Sequence, residues 1–340
     1  MSEAAFPLLG PVLVLGVALP LSALLARLLL SALRRFGSSR DRSAVLSGAR
    51  YWILVGSSAL PIVWFVSASI HQAEPDQPHA VCAIVHHAER WCAEPALFSL
   101  ALSLMVALWA LPRVLLERRL ASRGQAPGDR LTALLAAEPA LSELRGRVRV
   151  CDTAGPALVT VGLVWPRVVV QRRLVDQLDD AALRAALAHE AAHVRLRDPL
   201  RYLLLWWALA LNPLGRWILG DERARWVFDR ESRCDLAAVE GGACGAALAH
   251  ALVIAARTPV ADISAGLGSG SLALIKLRVQ LLLAYAGSPV SSSSGERRLQ
   301  RWFAGGFCLL CAAIALLPHG SGTLPLDLVH EATEAAARLF

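Results

Sequence analysis

Charge is scarce in this sequence, and that scarcity excludes the commonest class of protein. Only 18% of the 340 residues are charged, 56% are hydrophobic, and the mean hydropathy is +0.49. Such a chain is too apolar for an ordinary soluble protein of this length. The first apolar run also lacks a basic segment before it, so we interpret it as a retained membrane anchor and not as a cleaved signal peptide.

Four stretches lack charged side chains over a length that can cross a bilayer, which requires about 17–25 residues. These predicted spans are residues 6–26, 51–70, 95–112 and 302–318. The chain should therefore contact the lipid bilayer four times. We expect residues 1–112 to form a membrane anchor with three transmembrane helices.

The formal charge of +7 is unevenly distributed. Arginines crowd the segments 27–50 and 113–123 and the residues just before 302, whereas the 71–94 loop has Arg90 among four acidic residues. An excess of arginine marks the cytoplasmic side, so we predict that 27–50 and 113–301 lie inside and 71–94 outside. The sequence shows no basic groove rich in aromatics, so no nucleic-acid partner is expected.

The predicted outer loop is rich in histidine and cysteine. Cys82 and Cys92 could form a disulfide on the oxidising side. Its histidines could bind a metal or respond to pH near 6, or they could be incidental residues of a solvated loop. All of these interpretations stay open at this point.

A metal-binding pattern, His189-Glu190-Ala191-Ala192-His193, lies in a segment that has no glycine or proline from Ala181 to Val194. The segment is typical of a helix, in which residues four apart share a face, so both histidines can hold one zinc ion. Glu190 can then hold and deprotonate a water molecule on that ion. The pattern also occurs by chance on solvated helix faces, but here both histidines lie among apolar residues.

A catalytic zinc ion needs a third protein ligand. Glu231 and Asp235 lie four residues apart in a second helical pattern, so one can bind the ion while the other accepts the N–H of a ligand histidine. We assign Glu231 as the ligand and Asp235 as the acceptor. The alternatives are a solvated charged face, or Cys234 as a competing soft ligand.

The stretch before the metal helix contains one predicted helix, 131–144, and three short β-prone runs, 147–150, 157–161 and 167–170. An edge strand beside the metal helix can bind an extended substrate by strand addition. Val159, Thr160, Val161 and Gly162 are the candidate substrate-binding residues, and a purely structural hairpin is the alternative.

The apolar segment 200–219 resembles a fifth span but cannot be one, since a single crossing would separate Glu231 from the histidines. Two crossings need more residues than the segment offers. We expect a helix that packs on the domain or dips into the inner leaflet.

These motifs together resemble the BlaR/MecR-type membrane zinc peptidases. The similarity rests on the zinc motif, on Arg197-Asp198-Pro199-Leu200, on Asn212-Pro213-Leu214, on 231–235, and on the Pro/Gly-punctuated strands. It implies zinc held by His189, His193 and Glu231, with Glu190 as the base. A basic position at Arg278 also resembles the family, most simply as a salt-bridge partner. Only about twenty residues follow Pro318, too few for the family's outer penicillin-binding sensor domain.

The predicted fold is thus a membrane α-helical anchor with four transmembrane helices plus an α+β, gluzincin-like zinc-metallopeptidase domain facing the cytoplasm. The domains would be 1–112, 113–301, 302–318 and an outer tail, 319–340. The expected function is cleavage of a cytoplasmic protein or peptide, such as a transcriptional repressor, or of the chain itself within the serine-rich segment 287–295. The alternatives are an HtpX-type quality-control protease of the cytoplasmic membrane and a non-catalytic transducer with a structural zinc site.

Overall fold

Long helices form both ends of the described chain, and a small sheet lies between them. The computed structural model describes residues 12–35, 40–71, 88–152, 157–257, 272–285 and 294–316. A π-helical segment, Val12–Ala18, precedes the first helix, and a 3-10 segment, Pro139–Leu144, precedes the first strand. In chain order the elements are α1 (Leu19–Arg35), α2 (Arg40–His71), α3 (Ala88–Arg123), α4 (Asp129–Ala137), β1 (Val148–Cys151), β2 (Leu158–Val161), β3 (Arg167–Gln171), α5 (Arg172–Gln177), α6 (Asp180–Leu196), α7 (Asp198–Leu211), α8 (Gly215–Ile218), α9 (Gly220–Glu240), α10 (Gly245–Arg257), α11 (Leu272–Tyr285) and α12 (Ser294–Leu316).

Helix α2 is the centre of an apolar bundle in which it contacts α1, α3 and α12. Both α1 and α3 expose rows of large apolar side chains, which is unusual for a surface in contact with water. The exposed residues are Leu21, Leu24, Leu25, Leu28 and Leu29 on α1, and Leu100, Leu104, Met105, Leu108 and Trp109 on α3. Within the described residues, the helix Val14–Arg35 is the one long and apolar enough to cross a membrane, with a mean hydropathy of 2.0.

The N-terminal apolar helix differs in its limits from the predicted first span, residues 6–26. It covers Val14–Arg35 and so includes Arg27, whose guanidinium donates to the carbonyl of Ile218 at 3.2 Å. Shorter apolar helical stretches, Phe98–Pro112 and Trp302–Ile314, coincide with the third and fourth predicted spans. The predicted domain boundary at residue 113 falls inside α3, which runs unbroken to Arg123.

The three predicted strands are confirmed to within one residue and form one sheet with the order β1-β3-β2. β1 is parallel to β3, and β2 is antiparallel to β3 with Thr160 opposite Val168. One sheet face joins the main core around α6, and the other faces the end of α3. The single predicted helix 131–144 is wrong, because Pro139 forces Glu138 into extended backbone and α4 ends at Ala137.

Helix α6 is the centre of the region that contains the sheet. Twelve side chains of this helix are buried, all of them between Ala182 and Val194, and most of them are alanine or leucine. Small alanine side chains allow neighbouring helices to approach closely, and α6 contacts both α9 and α10. Asp179 caps its first turn by accepting the backbone N–H of Ala182 at 2.7 Å.

Helix α7 covers most of the apolar segment 200–219, which resembles a fifth span. It is only 14 residues long, about 21 Å at 1.5 Å per residue. It packs against α2 and α3, and the Ser58 hydroxyl donates to the carbonyl of Ala208 at 2.5 Å. Asn212 follows α7, and its amide donates to the carbonyl of Leu19 at 2.6 Å. Helix α7 thus packs on other helices of the chain, and its placement relative to a bilayer stays a prediction.

Several sequence predictions fall on residues that the structure does not describe. They include Cys82 and the histidines of the outer loop, and the side chain of Cys92. Most of the serine-rich segment 287–295 and the tail 319–340 also lie outside the described residues. These predictions stay as they were made.

Candidate metal centre

The two histidines of the zinc motif and Glu231 point their ligand atoms at one another. The Nε2 atoms of His189 and His193 are 3.0 Å apart. One oxygen of Glu231 lies 3.6 Å from His189 Nε2, and the other lies 3.7 Å from His193 Nε2. All three side chains are buried. The group forms because residues four apart share a face of α6, and because α9 packs directly against that face.

These separations fit a zinc ion. Tetrahedral coordination at a zinc–ligand distance of about 2.0–2.1 Å places neighbouring ligand atoms about 3.3–3.5 Å apart. The three observed separations of 3.0, 3.6 and 3.7 Å fall on both sides of that value. The two distances to Glu231 involve its two different oxygens, Oε2 beside His189 and Oε1 beside His193. The donor set of two imidazoles and a carboxylate is also one that zinc prefers.

A carboxylate stands behind each histidine. Asp235 Oδ1 lies 2.8 Å from His189 Nδ1, and Asp198 Oδ2 lies 2.7 Å from His193 Nδ1. A carboxylate that accepts from Nδ1–H leaves the lone pair on Nε2, which is the tautomer needed for a metal ligand. The structure thus brings Asp235 to the position expected from the sequence, and it adds Asp198.

Asp198 reaches His193 because the chain turns sharply between two helices. Arg197 adopts the left-handed conformation, with φ 52° and ψ 43°, and its backbone N–H bonds to the carbonyls of His193 and Val194. The turn ends α6 and starts α7 with Asp198 and Pro199 in the first turn. A proline in the first turn of a helix was the signal that a new helix begins there.

Arginines compensate the buried carboxylates. Arg278 forms two bonds of 2.7 Å to Asp235 and lies 3.1 Å from Glu231, as expected for a salt-bridge partner. Arg230 Nε donates to Asp198 at 2.8 Å. Burial alone would raise the pKa of Asp198, but Arg230 and His193 lower its pKa to about 2. Burial likewise opposes ionisation of Glu231, and its charged neighbours, His193 and Arg278, hold its pKa well below the ordinary value.

The histidines respond in the opposite direction. Burial tends to lower the pKa of His189, but the carboxylates of Asp235 and Glu231 outweigh burial and raise it. The pKa of His193 is raised well above its ordinary value by its anionic neighbours, against the effect of burial. The site therefore attracts positive charge strongly, whether as protons or as a metal cation.

Tyr202 is a further contact that the sequence analysis missed. Its hydroxyl donates to Glu231 Oε1 at 2.9 Å and so fixes the orientation of that carboxylate. Tyr202 lies four residues after Asp198 on α7, so both side chains share a helix face. That spacing could have indicated Tyr202, had the start of α7 been placed correctly.

Glu190 occupies the side of α6 that faces the sheet. The hydroxyl of Thr160 on β2 donates to Glu190 Oε2 at 2.5 Å. The other oxygen, Oε1, is buried and has no hydrogen-bond partner among the described residues. A buried carboxylate oxygen without a partner is costly in a folded protein and typical of a group that receives a water molecule or a substrate proton.

Cys234 lies behind His193 and not with the three converging ligands. Its sulfur is 3.5 Å from His193 Nδ1 and 3.8 Å from Asp198 Oδ2. These three side chains form a second group that could hold a metal ion. Burial raises the pKa of the Cys234 thiol, which disfavours the thiolate that a metal requires. The group that contains Glu231 is therefore the better metal site.

The candidate substrate strand is an edge strand beside α6. The backbone N–H of Gln171 donates to Ala157 at 2.9 Å, and hydrogen-bonded pairs alternate along antiparallel strands. Val159 and Val161 therefore direct their backbone groups towards β3, whereas Thr160 directs its groups to the outer edge. Gly162, with φ +98°, lies beyond the strand. Of the four candidate residues, Thr160 is the one within the strand whose backbone groups face away from β3.

Comparison with known proteins gives one match. Residues 159–220 match the model of Peptidase family M48, a segment that runs from β2 through the zinc motif and α7 to the start of α9. It contains His189, Glu190 and His193, and it ends before Glu231. Neither the curated proteins nor the solved structures yield a match. The match covers 62 residues, supports the M48 metallopeptidase family and implies a metal-dependent hydrolase of peptide bonds.

Proposed function

We propose that this protein is a membrane-anchored zinc endopeptidase that cleaves a cytoplasmic protein or peptide. His189, His193 and Glu231 would hold the zinc ion, Asp198 and Asp235 would orient the two histidines, and Glu190 would act as the general base. The observation that carries the proposal is the convergence of three buried ligand side chains at zinc-like separations, two of which, His189 and His193, lie inside the segment that matches the M48 peptidases.

Glu190 has the properties that a general base needs. Zinc, when bound, polarises the carbonyl of the scissile bond and lowers the pKa of water. Glu190 Oε1 can accept the proton of the attacking water, since it is buried and has no partner among the described residues. The same carboxyl group can then deliver that proton to the leaving amine. Thr160 holds Oε2 in place during both transfers.

The outer edge of β2 is the proposed substrate site. An extended peptide that pairs with Thr160 by strand addition would run beside Glu190, because the Thr160 side chain touches that carboxylate. Backbone pairing gives little sequence selectivity by itself. The flanking pockets would therefore select the side chains of the substrate.

We place the peptidase domain, residues 113–301, on the cytoplasmic side and assign 1–112, 302–318 and 319–340 to the anchor, the fourth span and the outer tail. The exposed apolar rows on α1 and α3 support contact with lipid. At 1.5 Å per residue, the 36 residues of α3 extend about 54 Å, more than the hydrocarbon core of about 30 Å. Its C-terminal part then reaches the sheet. A reporter fused near residue 125 should give a cytoplasmic signal.

A signalling role of the BlaR/MecR type is our preferred narrower assignment, with a transcriptional repressor or the chain itself as the substrate. Proteases of the HtpX type usually have two membrane spans between the metal helix and the acidic ligand. In this chain only α7 and the four-residue α8 lie between α6 and α9, which disfavours HtpX-type quality control. A purely structural zinc site is disfavoured by Glu190, since such a site has no use for a buried carboxylate directed at a substrate strand.

Glu190→Gln tests the catalytic assignment. The variant should keep its zinc and its melting temperature while cleavage of the substrate falls by at least about 10²-fold, the usual contribution of a general base. Comparison of the proteomes of cells expressing wild type and variant identifies the substrate as a protein shortened only by the wild type. Glu138→Gln, an acidic residue outside the site, is the matched control. Proteolysis that persists in Glu190→Gln would refute the mechanism.

Glu231→Ala tests the metal assignment separately. Metal analysis of the purified variant should show a loss of zinc, since only the two histidines remain to hold the ion. Unchanged zinc occupancy would exclude Glu231 as a ligand. Glu138→Ala serves as the control for the loss of one carboxylate elsewhere in the domain.

A further inference from the structure

Helix α9 lies between the metal helix and the proposed membrane anchor, and it contacts α6 and α2. Glu231, the proposed third zinc ligand, is on the side of α6, where its carboxylate faces the two histidines. Trp226 is five residues earlier on α9, about 140° around the helix axis. Its ring packs on the ring of Tyr51 of α2. One helix therefore carries a zinc ligand on one face and a contact with the anchor on another.

Three aromatic rings connect α2 with the hydroxyl group that binds Glu231. The centre of the Tyr51 ring lies 5.2 Å from that of Trp226. The Trp226 ring lies 5.3 Å from that of Tyr202 on α7, with 71° between the two ring planes. The hydroxyl of Tyr202 then donates to Glu231 Oε1 at 2.9 Å. We call Tyr51, Trp226 and Tyr202 the ring column.

The rings of the column restrict one another. Trp226 is 2% exposed and Tyr51 is 6% exposed, and both belong to a buried apolar cluster between α1, α2, α7 and α9. Tyr202 packs on this cluster and is only partly buried, so contact with Trp226 restricts the orientation of its ring. The hydroxyl of Tyr51 is buried and has no hydrogen-bond partner among the described residues. Tyr51 therefore contributes its ring to the column.

Ion pairs on both sides of Trp226 hold α9 against α2. Arg50 on α2 lies 3.3 Å from Glu222 and also pairs with Asp229. Glu222 is four residues before Trp226 and Asp229 is three residues after it, so all three side chains share one face of α9. These ion pairs keep the Trp226 ring in contact with α2.

We propose that Tyr51 and Trp226 are positioning residues of the zinc site, which hold the Tyr202 hydroxyl on Glu231. The inference rests on the proposed function, because it takes Glu231 as a zinc ligand. A carboxylate that is oriented by a donor loses less freedom when it binds the ion, so the affinity for zinc is higher. Helix α2, which contains the proposed second span, then contributes to the zinc affinity through aromatic rings.

A double-mutant cycle separates this positioning role from ordinary packing. The full-length protein is purified in a nonionic detergent and stripped of metal, and its zinc affinity is measured by competition with a chromophoric chelator. Trp226→Leu alone should weaken zinc binding by about three- to tenfold, because the hydrogen bond from Tyr202 to a charged group is lost. In the Tyr202→Phe background, Trp226→Leu should change the affinity by less than about 1.5-fold, since no hydroxyl is left to position.

Variants of Tyr51 test the other end of the column. Tyr51→Leu should weaken zinc binding, whereas Tyr51→Phe should bind zinc as the wild type does, because it keeps the ring and loses a hydroxyl without a described partner. Trp217→Leu is the matched control, since it removes a tryptophan ring that is 78% exposed, and it should keep the zinc affinity. Trp226→Phe retains a smaller ring and takes the place of Trp226→Leu in the cycle if the leucine variant does not fold.

The cycle has a clear adverse outcome. If the substitution of Trp226 weakens zinc binding equally in both Tyr202 backgrounds, the ring supports only the fold and the inference is wrong. Equal losses in Tyr51→Leu and Tyr51→Phe would also overturn it, because the ring would then not be the part that acts. Glu231→Ala separates this failure from that of the proposed function. If Glu231→Ala binds zinc as the wild type does, the metal site itself is wrong.

Discussion

Replacing Asp198 with asparagine removes the charge of this carboxylate and keeps its shape. Asp198 is 1% exposed, and its Oδ2 accepts from both His193 and Arg230. Burial raises its pKa, but Arg230 and His193 outweigh burial, so the pKa falls from 3.8 to about 2. That difference in pKa, at about 1.4 kcal/mol per unit, means that ionised Asp198 stabilises the metal-free fold by about 2–3 kcal/mol.

The sign of the pH dependence follows from the lowered pKa. The ionised form favours folding, so the contribution is complete above the unfolded pKa of 3.8 and is lost as the pH falls towards 2. At pH 7 metal-free Asp198→Asn should be about 2–3 kcal/mol less stable than wild type, or somewhat more, because Arg230 loses the charge of its buried partner. The difference should narrow below about pH 4.

Zinc binding by Asp198→Asn should weaken by about 10–100-fold, the usual effect of losing the group that orients a ligand histidine. The measurements are thermal unfolding across pH with the metal removed, and competition for zinc with a chromophoric chelator. Asp176→Asn, an exposed acid on α5, is the control for the change of charge. If Asp198→Asn keeps wild-type stability and zinc affinity, Asp198 neither neutralises Arg230 nor orients His193, and the reasoning fails.

Three further predictions concern the same site. Tyr202→Phe should weaken zinc binding several-fold without loss of fold, since Glu231 loses one donor but keeps Arg278. Competition with a chelator measures the zinc affinity. Thr160→Val should lower kcat/KM by about tenfold with zinc content unchanged, because one hydrogen bond to a charged group is worth about 1.5–3 kcal/mol. Chelation of zinc should lower the melting temperature reversibly, and restoration by added zinc is the check.

The pairing of the proposed metal-site residues could be predicted because it depends on local periodicity alone. His189 with His193, and Glu231 with Asp235, each share a helix face whatever the rest of the chain does. The strands were predictable for a similar reason, since glycine and proline mark their ends. A three-ligand requirement then joined the two helices without knowledge of how they pack.

Asp198 and Tyr202 could not be predicted in the same way. Their positions depend on the left-handed turn at Arg197, and arginine gives no sequence signal for that conformation. The same turn directs α7 towards α2 and α3. Hydropathy shows that α7 is apolar, but the contacts that α7 makes follow from tertiary packing.

The charges buried at the site indicate why so many groups surround two histidines. Each histidine is backed by a carboxylate, and each carboxylate by an arginine: His189 by Asp235 and Arg278, and His193 by Asp198 and Arg230. These two relays are electrically balanced when the histidines are neutral. Glu190 and Glu231 remain, so the buried site carries two negative charges in excess. A divalent cation would neutralise that excess. The relays therefore favour the histidine tautomers that a metal ligand needs, and the remaining carboxylates favour a cation in the site.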